Sequence, residues 1–225
     1  MPESIDLAPL IDHTVLRAEA TREDLERACA EAREYGFAGV CVRVEHVALV
    51  AKLLSGTRSR PISVVGFPSG TVGTDVKLAE ARQAIAAGAQ EIDMVIDLAA
   101  LHRRDYAAVL RDVQAVVEAV QPHVLKAILE TGAFRREQKA IAAALAKAAG
   151  AAFVKTSTGF GPGGATVEDV ALLRGTVGVD VGVKASGGIR TAEDARKMVA
   201  AGANRLGTSA SVAIITGTSA DVRRY

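Results

Sequence analysis

The sequence is poor in three features that would each point to a particular environment or partner. It has two cysteines, Cys29 and Cys41, which are too few for a disulfide framework and lack the spacing of metal ligands. Its net charge is +1, so no basic excess favours nucleic acid or an acidic membrane. No apolar run approaches the roughly 18 residues that a transmembrane helix needs. We therefore expect no nucleic-acid partner and no membrane partner.

The beginning of the chain and its composition indicate an ordinary globular enzyme. Met1-Pro2-Glu3-Ser4 lacks the basic region and apolar core of a signal peptide, which favours a cytoplasmic location. Apolar residues make up 49% and charged residues 24% of the 225 residues, a length that suits one α/β barrel domain. Because no composition break or low-complexity tract divides the chain, we expect one domain over residues 1–225.

A short motif repeats along the chain and marks the joints between helices and strands. Ala-Ala-Gly-Ala occurs at 86–89, 148–151 and 200–203, each time after an alanine-rich stretch and before an apolar one. Its glycine suits the left-handed residue just past a helix end. Threonine followed by acidic residues is typical of a helix start. That pattern occurs at Thr21, Thr166 and Thr191.

Between these joints the apolar runs predict strictly alternating strands and helices, with a short extra helix before the first strand. Alternation implies parallel strands. About eight such units favour a closed (β/α)₈ TIM barrel, and an open doubly wound sheet is the structural alternative. The predicted strands span residues 12–16, 38–43, 62–67, 91–96, 123–129, 151–155, 179–184 and 204–207.

Lysines at the ends of apolar runs are the most informative polar residues. Lys155 ends the run 151–154, Lys184 ends the run 181–183, and both precede glycine-containing loops. Burying an ammonium is costly, and desolvation lowers its pKa, which yields a nucleophilic amine. One strand-end lysine alone is more often a surface cation, but Lys126 is a third on a consecutive unit. The pattern predicts a Schiff-base enzyme for a phosphorylated carbonyl compound.

Acidic residues on the predicted strands are the expected partners of these lysines. In such barrels the active site lies at the C-terminal ends of the strands. Strand alternation puts Asp93 and Asp97 on one face, where a carboxylate is rare without a partner. We interpret Asp12 and His13 as a structural hydrogen-bonded pair rather than a catalytic dyad. Glu130 either orients a catalytic group or caps the next helix.

Glycine-containing loops follow the last three predicted strands. Residues 159–164 formally match G-x-G-x-x-G, but the acidic residue of a dinucleotide site is not at the end of the next strand. An anion-binding loop is the better interpretation, and the loops after strands seven and eight form the usual phosphate site of these barrels. The scattered histidines His46, His102 and His123 predict no metal site. The predicted phosphate-binding residues are Gly159, Gly187, Gly188, Gly207 and Ser209.

Segments along almost the whole chain resemble the short bacterial form of the deoxyribose-phosphate aldolase family. They span residues 11–14, 65–68, 91–96, 125–131, 153–160, 183–190 and 205–209. The resemblance implies reversible cleavage of 2-deoxy-D-ribose 5-phosphate to glyceraldehyde 3-phosphate and acetaldehyde, within deoxyribose phosphate catabolism and without a metal or organic cofactor. It implies Lys155 as the Schiff-base lysine, Asp93 as the proton donor and acceptor, and Lys184 as the neighbouring lysine of the proton relay.

The resemblance also implies an assembly and a set of supporting residues. Family members form dimers or tetramers, so a homodimer or homotetramer is expected. Two rivals stay open: another lysine-dependent barrel lyase, such as a thiazole-synthase-like protein, and a sugar-phosphate sensor without turnover. The supporting residues are Asp12, Thr14, Cys41, Lys126 and Thr156. The chain departs from the family pattern at Arg17, Arg43, Val44, Asp97 and Ala210, which leaves the lysine pair intact and the affinity for phosphate open.

Overall fold

Eight parallel strands close into a barrel in the computed structural model, which describes residues 5–218. The strands are β1 Ile11–Val15, β2 Gly39–Val42, β3 Arg60–Val65, β4 Glu91–Val95, β5 Val124–Ile128, β6 Phe153–Lys155, β7 Gly182–Ser186 and β8 Arg205–Thr208. Each strand pairs with the next in sequence, and β8 pairs with β1. The closed barrel is therefore confirmed and the open sheet is excluded.

The α-helices that connect the strands are α1 Arg22–Tyr35, α2 Val47–Leu53, α3 Thr74–Ala86, α4 Leu98–His102, α5 Tyr106–Val120, α6 Arg136–Ala148, α7 Val167–Val177 and α8 Ala192–Ala200, and α9 Ser211–Thr216 follows the last strand. The short extra helix is a 3₁₀ turn at Ala8–Leu10. Within residues 5–218, no helix is long and apolar enough to cross a membrane. Residues 1–4 and 219–225, Tyr225 among them, lie outside the described residues, so one domain over 1–225 stays a prediction.

The local signals at the helix ends act as predicted. The side chains of Thr21, Thr166 and Thr191 each accept a hydrogen bond from the backbone N–H three residues further on, in the first turns of α1, α7 and α8. Gly88 follows α3 with a φ of +103°, a backbone conformation that favours glycine. The helix–strand joints are thus encoded by residues whose conformational preferences need no tertiary contact.

β7 is the strand whose predicted ends differ most from the structure, and two further positions near strand ends bear on the site. β7 begins at Gly182 rather than 179 and continues past Lys184 to Ser186, because Val179 lies in the exposed turn after α7. Asp97 lies beyond β4 and caps α4, where its carboxylate accepts the N–H of Ala100. Gly207 lies within β8, in agreement with the predicted strand 204–207, so its assignment to the phosphate loop after that strand is wrong. The other predicted strands agree with the observed ones to within two residues at each end.

Two differently composed layers fill the space on either side of the barrel wall. Outward-facing strand residues such as Met94 and Val183 pack against the helices in a continuous apolar core. Inside the barrel, one side is apolar and formed by Leu16, Cys41, Ile62, Val64 and Phe67. The other side holds charged side chains, where barrels of this type normally carry branched apolar residues. That departure locates the candidate site.

Candidate active site

One carboxylate, that of Asp93 on β4, lies at the centre of the charged side of the barrel. Its Oδ2 is 2.8 Å from Lys155 Nζ and 2.7 Å from Lys184 Nζ. Its Oδ1 accepts a hydrogen bond from Lys126 Nζ at 2.8 Å. The three lysines come from the consecutive strands β5, β6 and β7, and all four side chains are buried. The structure therefore brings together the three residues predicted to be catalytic, with Lys126 beside them.

The electrostatic environment keeps Asp93 ionised. Burial alone would raise its pKa, but the positive charges of Lys126, Lys155 and Lys184 outweigh burial and hold the pKa well below its ordinary value of 3.8. Hydrogen bonds from charged amines also favour the carboxylate form. At neutral pH the centre of the site is therefore an anion that three amines contact at once.

Lys184 is held in its charged form by two carboxylates. Its Nζ is 2.5 Å from Asp12 Oδ2 and 2.7 Å from Asp93 Oδ2. Burial opposes the charge, yet Asp12 and Asp93 raise the pKa of Lys184 above its ordinary value of 10.5. For Asp12, burial would raise the pKa, but Lys184, Arg205 and Lys126 outweigh it and lower the pKa to about 2. Lys184 therefore supplies a fixed positive charge next to Lys155.

Two charged residues at the N-terminal ends of strands, here called the floor of the barrel, were not predicted as site residues. Glu91 begins β4, and its Oε2 lies 2.5 Å from Lys126 Nζ. Arg205 begins β8, and its guanidinium pairs with both Asp12 and Glu91. Strand alternation was the available signal, because Glu91 is two residues before Asp93 and must face the same way. The partner of Glu91 on β8 is set only by closure of the barrel.

The predicted supporting residues border this cluster in different ways. Thr156 donates through Oγ1 to the carbonyl of Ser186 and accepts the N–H of Ser186, both at 3.0 Å, which joins β6 and β7 just beyond the two lysines. Thr14 donates to the carbonyl of Asp12. Cys41 lies on the apolar side, and burial raises the pKa of its thiol to about 11, so the thiol is neutral.

Of the two roles considered for Glu130 from sequence, capping the next helix is wrong, because its side chain makes no capping hydrogen bond to the 3₁₀ turn Thr131–Ala133. Its carboxylate accepts hydrogen bonds from the backbone N–H and the hydroxyl of Thr158. A Cβ added to Gly161 would lie 2.7 Å from Cδ of Glu130, so the loop passes directly over this carboxylate. Glu130 therefore anchors the glycine-rich loop between β6 and α7, a contact across 28 positions of sequence. Sequence spacing gives no sign of that contact.

The glycines predicted to bind phosphate do not all lie in loops. Gly159, Gly187 and Gly188 have positive φ values and lie beyond the ends of β6 and β7. A Cβ on Gly188 would meet nothing within 4 Å, whereas one on Gly187 would lie 3.1 Å from Gly164. Gly207 belongs to the barrel wall, where a Cβ would come within 3.1 Å of Cε of Lys184. That Cβ would also lie 2.7 Å from Oγ of Ser186, so close approach to the β7 side chains Ser186 and Lys184 explains that glycine.

A cavity of about 410 Å³ opens beside the loop after β8. Ser209 and Ala210 line it from one side, and Leu16 and Arg17 line it from the end of β1. The guanidinium of Arg17 forms an ion pair with Asp24 at the start of α1. The cavity therefore borders the predicted phosphate loop rather than the lysines themselves. Within residues 5–218, no cluster of three or more His, Cys, Asp or Glu side chains is arranged to hold a metal ion.

Asp12 and His13 do not form the structural pair expected from their sequence positions. Adjacent residues of a strand point to opposite faces, so Asp12 enters the barrel and His13 faces the helices. His13 Nδ1 lies 2.7 Å from Ser211 Oγ, and Nε2 lies 2.9 Å from Glu31 Oε2. The histidine therefore connects β1 with α1 and α9, outside the charged cluster.

One departure from the family pattern has a clear structural consequence. Arg43, just after β2, donates through Nε to the carbonyl of Leu16 at 2.8 Å. Its guanidinium also lies over the ring of Phe67, 5.9 Å from the ring centroid. Phe67 in turn meets Phe160 edge-on from the loop after β6. Arg43 thus braces the rim of the barrel beside the apolar side of the site.

A closed parallel barrel with a buried lysine, aspartate and second lysine at its centre defines the class as a lysine-dependent (β/α)₈-barrel enzyme. The family model of the DeoC/LacD family aldolases matches residues 7–219. The chain belongs to this family and is an aldolase.

Individual relatives agree with this assignment. The chain is 51% identical to deoxyribose-phosphate aldolase of Clostridium novyi (strain NT), over 98% of this chain and 100% of that protein. It is 51% identical to deoxyribose-phosphate aldolase of Bacillus cereus (strain AH187), over 96% of this chain and 98% of the relative. The solved tetrameric deoxyribose phosphate aldolase of Aeropyrum pernix superimposes with a TM-score of 0.88 at 35% identity, covering 93% of this chain and 89% of that one.

Proposed function

We propose that this aldolase cleaves 2-deoxy-D-ribose 5-phosphate reversibly to D-glyceraldehyde 3-phosphate and acetaldehyde, through a Schiff base on Lys155. The observation that carries the proposal is the shared contact of Lys155 and Lys184 with one oxygen of Asp93. A nucleophilic amine, a charged neighbour and an ionised carboxylate are the three groups that amine catalysis of an aldol cleavage requires. The relatives named above support the choice of substrate.

Position and pairing support the choice of Lys155 as the nucleophile among the three lysines. It is the last residue of β6, at the barrel end where the active sites of this fold lie. Lys155 pairs with one carboxylate, Asp93, whereas Lys184 pairs with two and Lys126 with three. An amine must be free of its proton to attack a carbonyl, and Lys155 has the fewest carboxylate contacts to give up when it turns towards a substrate.

The covalent steps use these groups in turn. Neutral Lys155 adds to C1 of the open-chain aldehyde, and loss of water gives an iminium ion. Asp93 accepts the proton of the 3-hydroxyl, the C2–C3 bond breaks, and its electron pair moves into the iminium to form an enamine while glyceraldehyde 3-phosphate leaves. Protonation of the enamine at C2 and addition of water then release acetaldehyde and regenerate the amine. The positive charge of Lys184 favours the neutral amine and the neutral enamine over their cationic forms.

The phosphate end of the substrate is assigned to the loops after β6, β7 and β8. Gly187 and Gly188 follow the end of β7, in the loop where barrels of this fold usually bind phosphate. Gly159 and Ser209 lie in the loops that follow the neighbouring strands β6 and β8. The open space above Gly188 leaves room for phosphate oxygens. These contacts separate the phosphorylated sugar from its unphosphorylated analogue.

Two measurements test the proposal. A coupled assay should detect glyceraldehyde 3-phosphate released from 2-deoxyribose 5-phosphate. Treatment with acetaldehyde and borohydride should leave a reduced two-carbon adduct on Lys155, located by peptide mass spectrometry. A labelled lysine with no cleavage of this sugar indicates a different Schiff-base lyase, and binding of the sugar phosphate without any adduct indicates a sensor.

The proposal includes an assembly and a cellular setting. We propose a homodimer or homotetramer that acts in the cytoplasm in deoxyribose phosphate catabolism. The tetrameric structure of the Aeropyrum pernix relative supports an oligomer, although that assembly is a property of the relative. Light scattering coupled to size-exclusion chromatography measures the state directly, and a monomer at micromolar concentration contradicts this part of the proposal.

A further inference from the structure

Two charged residues on the barrel floor, Glu91 and Arg205, have no place in the covalent steps. Both are largely buried, with side chains 1% and 13% exposed. They contact each other, since Arg205 Nη2 lies 3.1 Å from Glu91 Oε2. Burying ionised groups costs several kcal/mol each, and a purely apolar floor would avoid that cost. Their presence under the site therefore calls for a role.

Each floor residue is connected to Lys155 by an unbroken series of ion pairs. From Glu91 the series runs through Lys126 at 2.5 Å and from Lys126 to Asp93 at 2.8 Å. From Arg205 it runs through Asp12 to Lys184 at 2.5 Å, and from Lys184 to Asp93 at 2.7 Å. The series from Glu91 ends at Asp93 Oδ1, and the series from Arg205 ends at Asp93 Oδ2. Lys155 Nζ lies 2.8 Å from Oδ2 of the same carboxylate. No water-exposed group separates the floor from the amine along either route.

The cluster holds unequal numbers of positive and negative groups. In the described part of the chain it contains four cations and three anions when all are ionised, an excess of one positive charge. Loss of one proton, from the amine of Lys155, makes the numbers equal. The cations are Lys126, Lys155, Lys184 and Arg205, and the anions are Asp12, Glu91 and Asp93. Arg60 also pairs with Glu91, but its side chain is 51% exposed and water screens it.

We propose that Glu91 and Arg205 are positioning residues that act on Lys155 in opposite directions and together set the pH at which its amine loses the proton. The inference rests on the proposed function, in which Lys155 is the nucleophile. Glu91 adds negative charge and favours the ammonium, whereas Arg205 adds positive charge and favours the free amine. The effects are transmitted inside a barrel where few water molecules screen charge.

The groups that face Lys155 from the surrounding strands are consistent with this assignment. Asp93 on β4 and Lys184 on β7 contact it directly, and Cys41 on β2 is a neutral thiol. Lys126 on β5 and Asp12 on β1 complete the two series. Burial would raise the pKa of Glu91, but Lys126 and Arg205 lower it, so Glu91 carries its charge at neutral pH. The guanidinium of Arg205 stays protonated.

The test compares the pH dependence of adduct formation in Glu91→Gln, Arg205→Gln and the double variant. Each purified protein is incubated with acetaldehyde and cyanoborohydride over a range of pH, and the rate of labelling at Lys155 is measured. The labelling midpoint is the pH at which the rate of labelling is half its maximum. We expect it to fall by about one pH unit in Glu91→Gln and to rise by a similar amount in Arg205→Gln. The double variant should return towards the unmodified protein, because the net charge is restored.

A matched control separates electrostatic control from loss of stability. Lys77 and Asp112 form a buried ion pair with a 2.6 Å contact between α3 and α5, outside the barrel. Asp112→Asn breaks that pair and should lower Tm without moving the labelling midpoint. If a floor variant does not fold, Arg60→Gln is measured as well, because Arg60 is half exposed and contacts Glu91 Oε1 at 2.8 Å. Because water screens the half-exposed guanidinium of Arg60, the labelling midpoint of Arg60→Gln should rise by much less than that of Arg205→Gln.

The outcomes are distinct. Opposite shifts of the two single variants support the inference. Unchanged midpoints, or shifts in the same direction with Lys155 still labelled, overturn it and leave the proposed function intact. Absence of an adduct on Lys155 in the unmodified protein instead overturns the proposed function. Where a floor variant does not fold, the other floor variant decides: a shift of its labelling midpoint in the expected direction supports the inference, and an unchanged midpoint overturns it.

Discussion

Lys155 on β6 and Lys184 on β7 are register partners, so the two amines enter the barrel side by side. Both donate to the same carboxylate oxygen, and one of them is held in its charged form by a further carboxylate. A parallel barrel makes this arrangement simple, because residues at equal heights on neighbouring strands point to the same side. The chemistry of a neutral amine next to a charged one therefore follows directly from strand register.

Replacing the proposed nucleophile is the most direct test of the site. We expect Lys155→Arg to fold and to lose nearly all cleavage of 2-deoxyribose 5-phosphate, because a guanidinium does not lose its proton near neutral pH. Loss of covalent catalysis costs several kcal/mol, so residual activity should be well below about a tenth. Lys52→Arg on the exposed side of α2 makes the same exchange away from the site and should keep full activity. If Lys155→Arg keeps more than about a tenth of the activity, another residue is the nucleophile.

Removing the neighbouring charge should change the pH dependence of Schiff-base formation. In Lys184→Leu, Lys155 keeps its contact with Asp93 but loses the adjacent cation. The free amine is then less favoured, so the midpoint of borohydride trapping with acetaldehyde should rise in pH while some trapping persists. Trapping rates measured from neutral to alkaline pH check the shift. A profile identical to that of the unmodified protein would show that the two amines are not coupled.

The lowered pKa of Asp12 predicts a specific loss of stability in acid. Its pKa is about 2 in the folded protein and 3.8 ordinarily, so its contribution is present above 3.8 and is lost as pH falls towards 2. That difference corresponds to about 2 kcal/mol. Asp12→Asn should be less stable at pH 7, because Lys184 and Arg205 lose a partner, and its stability should fall less steeply between pH 4 and 2. Urea unfolding at several pH values measures both effects, and equal slopes in the two proteins contradict the prediction.

The phosphate loop offers a test at Ala210, where the family pattern has a serine. Ala210 lines the cavity beside Ser209, and its N–H already donates to Thr208 Oγ1 at 2.9 Å. Ala210→Ser adds a hydroxyl donor, and a hydrogen bond to a charged group is worth about 1.5–3 kcal/mol. We expect KM for 2-deoxyribose 5-phosphate to fall several-fold and KM for unphosphorylated 2-deoxyribose to stay constant.

Ala213→Ser is the matched control for that change. Ala213 lines the same cavity from within α9, further from the loop. The Ala213→Ser variant should leave the KM values for both sugars unchanged. Equal effects of Ala210→Ser on the two sugars, or no effect on either, would place Ala210 away from the phosphate.

Local patterns in the sequence predict the architecture and the identity of the central residues. Threonine caps and glycines with positive φ depend on neighbours within one turn, so they mark helix ends before any tertiary contact exists. Alternation places Asp93 inside the barrel, and the lysines follow apolar runs. These signals are short-range, and the structure agrees with them. Their weakness lies in exact strand ends, as with β7, where an apolar Val179 extends the pattern into an exposed turn.

The sequence by itself determined an alternating βα chain with three lysines and an aspartate on its strands, and it favoured a closed barrel over an open sheet. Only the tertiary structure decided how the charges pair. Arg205 meets Asp12 across 193 positions because β8 closes against β1, and Glu130 anchors the glycine loop because β5 and β6 are neighbours. Periodicity reports which face a side chain occupies, but the partner on that face depends on strand order and register, which exist only in the folded barrel.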